Sequence, residues 1–166
     1  MSTFTVSYTY THTVTHVTTK MLLLVKEIIR ESGLDPAKFA VAWETYERAV
    51  ATWLASRHLQ RVTLEVFNPK TNALVTRWDL DVVYATVGGG SLWVDTDAIR
   101  YSIEKAGMAP ATCRYEVKLT AAPGHQAVAG WSTCEFRSTS GLRRYSVGST
   151  VGGDGITADA AYWREA

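Results

Sequence analysis

Apolar and polar residues alternate in two runs separated by a turn. Arg61-Val-Thr-Leu-Glu-Val-Phe67 has the period of a strand with one buried face. Asn68-Pro-Lys-Thr-Asn72 is a turn by chemistry: proline fixes φ, and the two asparagines tolerate left-handed φ. The second run, Ala73 to Tyr84, puts Leu74, Thr76, Trp78, Leu80, Val82 and Tyr84 on one side and Arg77, Asp79 and Asp81 on the other. These runs predict a β-hairpin with a wet outer face.

Upstream the period is helical. Val14, Val17, Met21, Leu24 and Ile28 form a stripe widened by Leu22, Val25 and Ile29, and Gly33 is placed to end that helix. Asp35-Pro36 opens a second helix, with Asp35 as N-cap and a buried stripe of Phe39, Trp43, Tyr46, Val50, Trp53 and Leu54 running to about His58. Thr3 to Thr13 is Thr/Ser-rich and strand-like, an edge strand or a loose arm. After the glycines at 88–90, Asp95 or Thr96 caps a third helix, Asp97 to Ala106, followed by a strand over Thr112 to Leu119 with Cys113, Tyr115, Val117 and Leu119 inward. Strand–helix–strand order implies a right-handed crossover, with the last strand parallel to Leu74–Tyr84 and Arg61–Phe67 between them. Seven of the 12 glycines lie from Gly124 to Gly155, among strand-like pieces at Val128–Phe136, Arg143–Thr150 and Ile156–Trp163. Glycine weakens strand registration, so this tail can pair in more than one place.

With 166 residues the chain reads as one domain, divided into a core with an N-terminal arm (1–122) and a C-terminal segment (123–166). A net charge of +1 with interspersed signs gives no footprint for nucleic acid or membrane, and no apolar run approaches the ~20 residues of a membrane span. The start lacks the pattern of a signal peptide, and two cysteines make no disulfide framework, so the expectation is a cytoplasmic protein with reduced thiols.

His12 and His16 have helical metal-ligand spacing but no third ligand nearby. Asp79 and Asp81, with Glu65 across the hairpin, could serve a metal-dependent hydrolase or nuclease; a solvated face partnered by Arg77 is the plainer reading. Neither glycine cluster has the spacing of a phosphate loop. No cofactor is expected. Tyr162 and Trp163 are costly to leave in water and should pin the tail to the body.

Ser7-Tyr-Thr-Tyr-Thr-His-Thr-Val-Thr-His16, Ile28-Ile-Arg-Glu-Ser-Gly-Leu-Asp-Pro36, Thr52-Trp-Leu-Ala-Ser-Arg-His58, Leu64-Glu-Val-Phe-Asn-Pro69, Arg77-Trp-Asp79 and Ala160-Ala-Tyr-Trp163 together resemble the bacterial HORMA domain proteins. The resemblance implies an α+β fold: three helices on a central antiparallel or mixed three-stranded sheet, followed by a C-terminal "safety belt" able to occupy either sheet edge. It also implies a non-catalytic regulator of cyclic-oligonucleotide anti-phage defence. The closed form would bind a closure-motif peptide and a cGAS/DncV-like nucleotidyltransferase, and a Trip-like AAA+ ATPase would reopen it. The expected peptide site is the edge Leu74, Val75, Thr76, Arg77, Trp78, Asp79, Leu80 and Asp81, with Trp131, Tyr145 and Val147 from the belt. The arm residues Ser2, Thr3, Phe4, Thr5 and Val6 are expected to be the ATPase's grip.

Overall fold

A computed structural model describes residues 10–85 and 92–165. The Ser2–Val6 arm and the glycines at 88–90 lie outside the described residues. The elements are α1 (Tyr10–Glu31), α2 (Ala37–Val41), α3 (Trp43–Ala55), β1 (Leu59–Phe67), β2 (Leu74–Tyr84), β3 (Trp93–Val94), α4 (Thr96–Ala106), β4 (Arg114–Ala121), β5 (Leu142–Gly152) and β6 (Ile156–Glu165).

The predicted stripe of α1 is buried, but the helix starts at Tyr10, four residues before the first residue of the expected stripe, so the Thr-rich 10–13 segment is helical. Thr13 is fully buried and its hydroxyl oxygen accepts from Asp154 N, which ties the start of α1 to the β5–β6 turn. Gly33 takes φ +86° and closes α1 as expected. The second helix is two helices that meet at Ala42. Asp35 lies one residue before the cap position, its carboxylate accepting from Ala37 N. Phe39 N–H donates to Tyr115 Oη, whose hydroxyl donates to Asp35 O, so α2 is fastened to β4. Asp95 caps α4, accepting from Ala98 N.

The sheet has six strands in the order β3-β5-β6-β2-β1-β4. β1 is central to the hairpin pair, antiparallel to both β2 and β4, which are therefore parallel to each other as the crossover requires. Val62, Leu64, Val66, Trp78, Leu80, Tyr115 and Val117 point into one core with the helices. Val128–Phe136 forms no strand, whereas the other two tail segments become β5 and β6.

The opposite sheet face is wet only in part: Asp81 and Arg61 stay partly exposed, whereas its middle is covered. Glu65 and Asp79 are 0% and 2% exposed, and Arg77 is buried with them. The cover comes from residues 135–137, which lie far along the chain and dock Phe136 and Arg137 over the polar face. Among the described residues no helix is long and apolar enough to cross a membrane.

Candidate binding groove under the C-terminal belt

β2, the expected open edge, is occupied. β6 pairs with it from Arg77 to Tyr84, and Thr76 Oγ1 donates to Trp163 O just beyond the ladder. Leu74 continues the hairpin opposite Phe67 of β1, and Val75 is bulged out of the register between them. Trp78 and Leu80 point into the core, Trp78 lying against Tyr162 with ring centroids 4.9 Å apart. A free ladder runs instead along β4, which pairs with β1 on one side and, among the described residues, with no strand on the other; the outer side of β5 is likewise without a strand partner before Val151.

The belt reaches this edge because it starts there. Ala122 N–H donates to His58 O directly after β4 ends. On the helix face, Trp53 Nε1 donates to Gln126 O (2.7 Å) and Trp131 Nε1 to Thr45 O (3.2 Å). The Trp131 ring meets Tyr46 and Trp53 edge-on, and His125 meets Trp53 in the same way. These rings hold the belt against α3 while each indole N–H keeps a carbonyl partner.

The belt then crosses to the polar face. Lys118 Nζ donates to Glu135 O and to Glu65 Oε1, both at 2.6 Å. Arg137 closes the crossing: its main-chain N–H and Nη1 donate to the two oxygens of Glu65 (2.8 and 2.7 Å), Nη2 reaches Glu116 (3.2 Å), and Nε donates to Asn72 Oδ1. Its guanidinium lies 3.5 Å from the centre of the Phe67 ring, and Arg77 sits over Phe136. Glu116 is held below the usual carboxylate range, first by its hydrogen bond from Arg137 and then by the charges of Arg137, Lys118 and Lys38, against the opposing effect of burial.

Between the anchored faces, residues 132–134 pass outside β4. They enclose a groove of about 400 Å³ lined by β4 from Val117 to Ala121 and by Trp53, His125, Val128, Trp131 and Phe136. Thr120 lines it, and its Oγ1 is buried without a hydrogen-bond partner. An unpaired strand edge, an aromatic wall and a strap over both suit an extended polypeptide.

Of the expected site only Trp131 lies in this groove. Tyr145 and Val147 are on β5 near α4 and Tyr162, on the far side of the sheet. The three carboxylates of the hydrolase reading are engaged by cations. Glu65 serves Lys118 and Arg137; Asp79 accepts from Thr63, Arg77 and Trp163; Asp81 accepts from Arg61 and lies 3.7 Å from Arg144. Among the described residues no group of His, Cys, Asp or Glu side chains could hold a metal ion. Both cysteines are free.

Comparison with solved structures finds the same fold at low identity. A chain of the mitotic checkpoint complex superposes with TM-score 0.71 at 11% identity, covering 90% of this chain and 98% of that one. Caenorhabditis elegans HTP-2 bound to the HIM-3 closure motif gives 0.60 at 11% identity over 86% and 85%. The Escherichia coli MS115-1 CdnC:HORMA-deltaN complex gives 0.55 at 13% identity over 100% and 93%. No curated protein matches. The sequence profile described as Bacterial HORMA domain 2 matches residues 1–166, and the chain belongs to that family.

Proposed function

We propose that this chain is a peptide-binding adaptor in its closed-belt state, and that the peptide adds to β4 rather than to β2. The observation that carries this reading is the unpaired β4 edge running beneath a strap anchored on both sheet faces. An extended peptide can satisfy the outward main-chain groups of β4. Its alternate side chains then meet Trp53, Val128 and Trp131 on one face. Two of the solved neighbours support the wider reading: one holds a closure motif, the other is a complex with CdnC. In the closed state this chain would engage a cGAS/DncV-like nucleotidyltransferase, with a AAA+ ATPase pulling on Ser2, Thr3, Phe4, Thr5 and Val6 to reopen it. Such a switch needs two packings that differ by a few kcal/mol.

The test is selection of a displayed random-peptide library against the folded protein. Enriched peptides should alternate apolar residues and lose affinity at least tenfold on Trp131→Ala. Enrichment of nothing, or of peptides indifferent to Trp131 and to Val117→Lys, would remove the assignment.

A further inference from the structure

On the far side of the molecule from the β4 groove, α4 and the β5–β6 hairpin form a second groove of about 700 Å³. Arg143 and Arg164 stand directly opposite each other on antiparallel strands. Arg164 Nη1 donates to the main-chain carbonyl of Lys105 on α4, so a third cation joins the pair. Among the described residues no carboxylate lies within 4.0 Å of Lys105, Arg143 or Arg164, and no Asp or Glu lines the groove. Arg144, the next residue, turns instead toward Asp81. Like charges at a directly opposed strand position are destabilising, and among the described residues no carboxylate offsets them. Arg164 Nε is also buried with no acceptor. A cluster of cations built at a cost to its own sheet, with a spare donor, is arranged for an anionic partner.

The rings in the groove distinguish between anions. Tyr145 stacks on Tyr162 at 5.2 Å, and the Arg164 guanidinium lies over the Tyr145 ring. Lys105 lies 4.7 Å from the centre of the Tyr101 ring. The Tyr145 and Tyr162 rings are engaged with each other and with Arg164, so among the described residues exposed Tyr101 is the groove's one free stacking platform for a nucleotide base, against three cations. We propose that this groove docks an acidic segment of a protein partner, its Asp and Glu side chains paired with Lys105, Arg143 and Arg164. The site is composite: Lys105 belongs to the core, while the two arginines arrive with the hairpin that occupies β2. Resting on the closed-adaptor reading, the groove would therefore report belt position to that partner.

The probe is a short fluorescein-labelled Glu-Gly repeat peptide, followed by anisotropy with the full chain, beside a labelled oligothymidylate and a Lys-Gly repeat. The acidic peptide should bind and the basic one should not. Affinity should fall steeply with salt. Arg143→Glu and Lys105→Glu, both exposed, should each weaken it at least tenfold without lowering the melting temperature, which Arg143→Glu should raise slightly by facing Arg164, and without changing affinity for a β4-groove peptide. Failure of the β4-groove peptide to bind would damage the adaptor reading and leave this assay intact. No binding of the acidic probe, equal binding by both charge-reversal variants, or tighter binding of oligothymidylate would overturn the proposal.

Discussion

Arg137→Ala is the most informative single change, because it removes the belt's side-chain ion pairs on the polar face and leaves the apolar core unchanged. Glu65 is fully buried and shares its carboxylate between Lys118 and Arg137. Removing one partner of a buried ion pair typically costs 3–5 kcal/mol, because the other charge stays buried. Here Glu65 keeps Lys118 at 2.6 Å, and the main-chain N–H of residue 137 survives the substitution. The expected loss is therefore smaller, about 2–3 kcal/mol. Arg137 belongs to the belt and Glu65 to the sheet, so the loss falls on belt docking, shifting the docked-to-undocked ratio roughly 30- to 150-fold. Hydrogen exchange is the assay: amides of residues 132–141 should lose protection while those of β1 and α3 keep theirs. A double-mutant cycle with Glu65→Gln isolates the coupling, and the double variant should lose clearly less than the sum of the two single losses. Glu116→Gln serves as the comparison. That carboxylate is 41% exposed, so its loss should cost under about 1 kcal/mol. Unchanged belt protection in Arg137→Ala, or strictly additive effects with Glu65→Gln, would refute the ion-pair account of the closed belt.

Other consequences follow from single contacts. Trp131→Ala removes the rings' hold on α3 and should weaken belt docking by about 2 kcal/mol, read by exchange at residues 125–134. Thr13→Val keeps the shape of a fully buried side chain but loses the bond from Asp154 N; it should cost about 1 kcal/mol, read by denaturant midpoint. Because Glu116 has a folded pKa below its unfolded one, its contribution is present above the usual carboxylate range and fades as pH falls through the lower folded value. Belt protection should therefore weaken only in acid, and Glu116→Gln should flatten that part of the profile. Deleting residues 2–6 should leave closed complexes resistant to the ATPase, measured by peptide release with ATP present; release at the normal rate would end the arm's assignment.

The hairpin, the central position of β1 and the buried stripe of α1 were legible because each is a local pattern that burial enforces. The polar face was misread for the complementary reason. Arg77, Asp79 and Glu65 alternate with apolar residues as solvated positions do, and the residues that cover them, Phe136 and Arg137, are about sixty to seventy residues later in the chain. Charge pairing leaves no periodic trace. The choice of edge failed similarly: a central β1 leaves two edges, and the alternation of Ile156–Trp163 signals a strand without naming its partner. One signal for β4 was present. Its last residue leads straight into the belt, which favours placing the strap's first anchors, Gln126 and Trp131, near that strand. The break between α2 and α3 at Ala42 had no counterpart in the hydrophobic stripe, which runs through it unbroken.

The central claim is that β4, not β2, receives the peptide. Hydrogen exchange of the full chain, with and without a peptide selected from the library, tests it most directly. Residues 114–121 and the belt from 125 to 136 should gain protection together, and Arg77–Tyr84, already paired with β6, should not change. Protection appearing at β2 with β4 unmoved would mean that the peptide displaces β6 and that the groove under the belt is not its site.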